Sequence, residues 1–138
     1  MICDTSGLLA HFDPDDRDHP AAVQVLSNAR PPLVVSPFVI AELDHLLRKK
    51  VGAQDARIVL DELVAGSFEL APCDLSDLRR ALEIDRRYAD LDLGITDVSL
   101  VVLAARYDTR DILTLDHRHF RQLVPLQGGR FRLLPDDS

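Results

Sequence analysis

A chain of 138 residues with 46% hydrophobic and 28% charged content is the size of one domain and can bury a sizeable core. The formal net charge of -7 argues against nucleic-acid binding through a broad basic surface, and apolar runs such as Val98 to Ala105 are too short to span a bilayer. No basic leader precedes the first apolar residues, so a cytoplasmic protein without membrane association is expected, and Cys3 and Cys73, lacking metal-site spacing, read as buried thiols.

Met1 to Gly7 opens as a short apolar run and then sets Asp4, Thr5, Ser6 and Gly7 in succession, the pattern of a buried strand delivering an acid to its carboxyl end. Asp4 there is either a ligand on a rigid support or the N-cap of the helix that follows. After an acidic loop from Asp13 to Asp18, His19-Pro20 begins a helix with Ala21, Ala22, Val25, Leu26 and Ala29 on its apolar face, and Pro31-Pro32 stops it. Leu33-Val34-Val35 predicts the second strand. Ser36-Pro37 opens a helix with Phe38, Ile40, Ala41, Leu43, Leu46 and Leu47 at helical spacing and Glu42 in its early turns; Arg48-Lys49-Lys50 suits its C-terminus and Gly52 ends it.

Ala53 to Val64 predicts an amphipathic helix whose buried side is Ile58, Leu60, Leu63 and Val64, and Ser67 to Ala71 a third strand. Asp74, with Asp77 three residues on, predicts a capping box for a helix carrying Leu75, Leu78, Leu82 and Ile84, with Arg79, Arg80, Arg86 and Arg87 as a solvated face. Gly94-Ile95-Thr96 breaks the pattern, and Asp97 starts a helix apolar on most of its circumference. Asp111 to Leu115 reads as the fourth strand, ending at Asp116; a short helix from His117 to Leu123 and a strand from Arg130 to Leu134 follow. Strands separated by helices imply one α/β domain over residues 1–138, with a mainly parallel sheet of four to five strands covered on both faces.

In such a sheet, strand ends and the starts of the following helices share one edge. Asp4 and Asp116 stand at strand ends, and Glu42 and Asp97 near helix starts, so four carboxylates can meet in one cleft. Two such charges about 4 Å apart repel by roughly 4 kcal/mol at an effective dielectric near 20. A divalent cation offsets that cost, and oxygen-only ligation favours magnesium or manganese over zinc. Phosphodiester hydrolysis is the matching reaction class. Each acid also has a plainer reading: Glu42 as half-exposed surface, Asp97 as a helix N-cap, Asp116 as the cap of the short helix after it.

Asp4-Thr5-Ser6 after the first strand, Ala41-Glu42-Leu43 in an early helix, Thr96-Asp97 opening an apolar helix, and Thr114-Leu115-Asp116 followed by Phe120 resemble the PIN-domain nucleases, most closely the VapC-type toxins of bacterial toxin–antitoxin pairs. The resemblance covers nearly the whole chain. It implies a three-layer α/β/α PIN fold, Mg2+-dependent endoribonuclease activity with Mn2+ as a possible substitute, a homodimer, and a cognate VapB-type antitoxin that blocks the site. By position, Asp4, Glu42, Asp97 and Asp116 become a catalytic, metal-binding quartet. Thr5, Ser6 and Thr114 fall on the motif's hydroxyl positions, where they orient carboxylates or hold a water. The stretches Ser36 to Leu46 and Thr114 to Phe120 look like those of toxins that cut the sarcin–ricin loop of 23S ribosomal RNA, with transfer RNA the competing substrate.

RNA affinity then falls to local basic groups: Arg118, Arg121, His117 and His119 beside Asp116, and more remotely Arg48, Lys49 and Lys50. His117 or His119 serves as a phosphate contact, as a proton donor to a leaving oxygen, or as plain surface. Asp92, a near neighbour of the quartet, reads as solvated surface, with an auxiliary acid as the alternative role. With 5% aromatics and no tryptophan, base stacking gives way to recognition of RNA shape and phosphate position. Aspartyl-phosphate enzymes are disfavoured, because the position two beyond Asp4 is Ser6 and the only lysines are Lys49 and Lys50. A non-catalytic binding module, its acids serving as caps, is the remaining alternative and predicts indifference to magnesium.

Overall fold

A computed structural model describes the chain from Met1 to Ser138. Short apolar runs become two- or three-residue strands, and the amphipathic stretches between them become helices. In order these are β1 (Ile2–Cys3), α1 (Thr5–Phe12), α2 (His19–Asn28), β2 (Val34–Val35), α3 (Pro37–Lys50), α4 (Ala53–Val64) and β3 (Glu69–Leu70). Then come α5 (Leu75–Arg87), a single 3-10 turn (Ala89–Leu91), α6 (Ile95–Arg106), β4 (Asp111–Leu113), α7 (His117–Phe120) and β5 (Arg132–Leu134). No helix is long and apolar enough to cross a membrane.

The strands form one all-parallel sheet in the order β3-β2-β1-β4-β5. From β1 at the centre, the chain builds outward to β3, returns through α5 and α6, and enters β4 on the other side of β1. Connections that leave neighbouring strands in opposite directions open a crevice at the strands' carboxyl ends, here between β1 and β4. Register places Ile2 opposite Ile112 and Cys3 opposite Leu113, so the residues just beyond, Asp4 and Thr114, enter that crevice side by side.

Ile2, Cys3, Val34, Val35, Ile112 and Leu113 are all fully buried, as expected of a parallel sheet with helices on both faces. Burial pushes the Cys3 thiol up to about 12, leaving it an inert core group. Helix α6 is buried at every position from Val98 to Ala104, and α5 packs along it. Helix α1 approaches β4 closely through Gly7: a Cβ there would lie 2.5 Å from Leu113 Cγ and 2.8 Å from the Leu113 carbonyl oxygen.

The structure shifts several expectations. The third, fourth and fifth strands are shorter than predicted, and α7 stops at Phe120 rather than Leu123. On α4 the buried residues are Ala56, Val59 and Leu63, whereas Ile58 and Val64 are exposed; on α5 they are Ala81 and Ile84, with Leu75 and Leu82 exposed. In both helices a fully covered alanine takes an inward position, one that bulk-weighted periodicity passes over. Helix α6 begins at Ile95 with Gly94 as its N-cap, two residues before the predicted start, so Asp97 is not a cap. Cys73 is only partly buried. The Asp74–Asp77 capping box forms as predicted, with reciprocal bonds of 2.9 and 3.0 Å.

Two measurements probe this arrangement. Because the Leu113 backbone cannot retreat without breaking the sheet, Gly7→Ala should lower unfolding free energy by about 1–3 kcal/mol in urea titrations; an unchanged midpoint would show that α1 is not clamped to β4. At the C-terminus, Asp137 accepts from both Arg121 Nη atoms and from the Leu133 amide, each at 2.7 Å, and the Arg121 guanidinium holds its carboxyl down from 3.8 to about 2. A depressed carboxylate pKa contributes stability above its unfolded value and loses it as pH falls through the folded value. The stability difference between wild type and Asp137→Asn should therefore be full at neutral pH and close between about pH 4 and pH 2; a difference independent of pH would exclude the ion pair as its source.

Candidate functional site

Asp4 extends the β1–β4 ladder by one residue, its amide donating to the Leu113 carbonyl at 2.9 Å. Its side chain is only 5% exposed and both oxygens are engaged. Oδ1 accepts from the Thr5 amide at 2.8 Å, capping α1. Oδ2 accepts from the Thr114 hydroxyl at 2.7 Å and from the Ser6 hydroxyl at 3.2 Å. Ser6 in turn accepts from the Leu115 amide at 2.9 Å, and Thr114 from the Asp116 amide at 3.1 Å, so the strand ends are cross-linked through hydroxyls. The Thr5 hydroxyl is buried without a partner, and only its backbone reaches Asp4. Burial pushes the Asp4 carboxyl up to about 6 against the pull of these donors, with the charge of Asp97 adding to the rise.

Asp97 lies in the first turn of α6 with its carboxylate free of any capping role. Its Oδ2 is 2.9 Å from His119 Nδ1, which donates to it. Burial raises its pKa, the contact with His119 opposes that rise, and the charges of Asp116 and Glu42 reinforce it. Glu42 is exposed on α3, and its Oε2 accepts from the Thr96 hydroxyl at 3.1 Å. The Thr96 carbonyl accepts from Ser99 at 2.6 Å; Ser99 Oγ is also 3.3 Å from Ser36 Oγ, which caps α3 through the Val39 amide at 3.2 Å. This run of hydroxyls fixes the start of α3 to the start of α6 and so sets Glu42 beside Asp97.

Asp116 caps α7 by accepting from the Arg118 amide at 3.3 Å, and the Arg118 guanidinium spans both its oxygens. That pairing holds the Asp116 carboxyl below the usual carboxylate range. The predicted basic contacts therefore divide. Arg118 and His119 face the acids, whereas His117 lies 3.3 Å from Asp136 and Arg121 is paired with Asp137, both turned to the C-terminal segment. Lys50 is bound to Asp13 and Arg48 to Asp44. Asp92 is exposed at φ 50 and bonds to none of the four acids. Sequence reasoning missed Thr96 as the support of Glu42, and the serine pair beneath it; the spacing of Ser99 three residues beyond Thr96 was the available signal.

The donor set is entirely oxygen, which suits Mg2+ or Mn2+. The four charges act on one another, Asp97 on Asp4, and Asp116 and Glu42 on Asp97, a field that a divalent cation neutralises. As they stand, no three His, Cys, Asp or Glu side chains in the chain are grouped to hold an ion, since Asp97, Asp116 and Glu42 are each drawn to a neighbour, His119, Arg118 and Thr96. The fit to a metal is thus one of donor chemistry and electrostatics. A cavity of about 790 Å³ lies elsewhere, between α2 and the β4–β5 side of the sheet, and is lined by none of the four acids.

Residues 1–124 match the PIN domain family. Over 135 residues, 98% of this chain and 100% of the relative, the sequence is 48% identical to Ribonuclease VapC26 of Mycobacterium tuberculosis. Among solved structures, the fold is similar to that of Mycobacterium tuberculosis VapC20, described as a sarcin–ricin loop cleaving toxin, with a TM-score of 0.78 at 17% identity, covering 83% of this chain and 88% of that one. It is also similar to a chain of a toxin–antitoxin complex from Klebsiella pneumoniae, with a TM-score of 0.65 at 19% identity, covering 86% and 88%. Those two likenesses speak to the fold; the family match and the full-length relative carry the assignment, and the chain belongs to the PIN-domain family, among its VapC-type ribonucleases.

Proposed function

We propose that this protein is a Mg2+-dependent endoribonuclease toxin whose metal is held by Asp4, Glu42, Asp97 and Asp116, with Mn2+ as a possible substitute. The observation carrying the reading is that oxygen donors from β1, α3, α6 and the end of β4 act electrostatically on one another at the one crevice the topology creates. A magnesium ion held there supplies Lewis acidity toward water and toward phosphate oxygens. In the reaction, a water oxygen bonds to phosphorus as a phosphorus–ribose oxygen bond breaks, and the released oxygen takes up a proton. Thr114 and Ser6 hold Asp4 through their hydroxyls, His119 orients Asp97, and Thr96 holds Glu42. Arg118 brings positive charge to the phosphate backbone, which an acidic protein must supply locally.

For the target we favour the sarcin–ricin loop of 23S ribosomal RNA, whose cleavage stops translation, on the resemblance in Ser36 to Leu46 and Thr114 to Phe120. Neutralisation by a VapB-type antitoxin in the cytoplasm and assembly as a homodimer complete the proposal, with residues 1–138 acting as a single domain. Leu46 on α3 and Ile58 and Val64 on α4 leave apolar surface available to such partners.

The purified protein should cut total RNA with Mg2+ and not with EDTA, and primer extension should place the cut in the 23S loop rather than in transfer RNA. Asp97→Asn should lower the rate by at least about 100-fold, beyond the 10–100-fold typical of losing an outer-shell partner. Equal cutting by both proteins, or cutting that survives EDTA, would dismiss the mechanism. Mg2+ should also raise the thermal midpoint of wild type by mass action and leave that of Asp97→Asn nearly unmoved; a midpoint indifferent to Mg2+ in both favours the binding-module alternative.

A further inference from the structure

Arg118 and His119 are adjacent in α7 and each meets one of the acids, but with unequal grip. His119 Nδ1 is 2.9 Å from Asp97 Oδ2, and the two side chains are largely covered, 24% and 23% exposed. Arg118 straddles Asp116 with Nε to Oδ1 and Nη2 to Oδ2 both at 3.3 Å, and its side chain is 81% exposed. Other arginine forks in this fold close fully: Arg121 on Asp137 at 2.7 and 2.7 Å, Arg132 on Asp111 at 2.8 and 2.6 Å. Firm charge-assisted contacts settle at about 2.7–2.9 Å, so the Arg118 fork is slack, and exposed ion pairs contribute little in water. Asp116 is the only partner of this guanidinium.

We infer that Arg118 is an exchangeable counter-charge: its guanidinium competes with the divalent cation for the oxygens of Asp116, and once displaced it is passed to a phosphate of the RNA. The inference rests on the reading of Asp116 as a metal ligand. Arginine is suited to the exchange because the same planar fork fits carboxylate and phosphate alike, and its exposure leaves the side chain free to turn. Metal loading and RNA binding then reinforce each other through one residue, and by linkage the reinforcement runs both ways. A purely positional Arg118, aiming Asp116 at the ion, has the opposite sign: removing it would weaken metal binding.

The test is calorimetric titration of Mn2+ into the full chain, as wild type, Arg118→Ala, Arg118→Gln and Arg79→Ala, with and without a short uncleavable 2′-O-methyl RNA. Arg79 is an exposed residue of α5 and controls for net charge. Without RNA, both Arg118 variants should bind Mn2+ about two- to fivefold tighter than wild type, the scale of one exposed charge contact, while Arg79→Ala matches wild type. RNA should tighten Mn2+ binding in wild type and do so less in the Arg118 variants. Equal or weaker Mn2+ binding by both Arg118 variants overturns the inference and leaves the metal centre standing. Absence of Mn2+ binding by wild type overturns the metal centre and the inference together.

Discussion

The parallel pairing of β1 with β4 is the constraint on which the site depends. Each strand is only two or three residues long and, Asp111 apart, buried, so a slip of one residue would carry Asp4 into the core and withdraw an apolar residue from it. Burial thus locks the register, and the register lays Asp4 against Thr114. The carboxylate at this point is placed by the hydrophobic effect acting on its neighbours rather than by any affinity of its own. The cost appears in its raised pKa, which burial sets and which three hydrogen-bond donors only partly offset.

The partners of the four acids follow how deeply each is covered. Asp4, nearly sealed, is met by two hydroxyls and an amide, which satisfy its oxygens without introducing a second buried charge. Asp97, largely covered, is met by an imidazole; Asp116, more open, by a guanidinium; Glu42, at the surface, by a single hydroxyl. A charge pair deep in the fold would have to repay the desolvation of two ions, whereas hydroxyl donors ask for only one. The same gradient sorts the groups by freedom to move: the most buried acid is the most rigidly held, and the two most exposed can turn most readily toward a ligand or away from one another.

The order of elements, the parallel sheet and the places of Asp4 and Asp116 just beyond strands were legible in the sequence because each leaves a local mark. Apolar runs punctuated by proline and glycine mark strands, and an acid directly after a run marks its carboxyl end. The inward faces of α4 and α5 were not legible, because Ala56 and Ala81 carry little hydrophobic weight yet are buried, and which face turns inward is set by the neighbouring elements, which no window of sequence encodes. The start of α6 was misread for a related reason: Gly94 caps with backbone alone, leaving no side-chain signal, and Asp97 nearby looked like the better cap. The contacts of Thr96 with Glu42 and of His119 with Asp97 span 54 and 22 residues and exist only once α3, α6 and α7 meet.

Capping and ligation, which the sequence poses as alternatives for Asp4, Asp97 and Asp116, are compatible at Asp4 and Asp116. A carboxylate has two oxygens and about four lone-pair directions, so one oxygen can satisfy a helix amide while the other faces elsewhere. Asp4 does this, with Oδ1 on the Thr5 amide and Oδ2 on the hydroxyls. Asp116 caps α7 through Oδ1, while Oδ2 meets the Arg118 guanidinium, which also reaches Oδ1. In an α/β sheet the residue ending a strand often begins a helix, so the capping position and the ligand-binding edge coincide. Capping then fixes the carboxylate's angle before any ligand arrives, and the acid that starts a helix is by the same act aimed into the crevice.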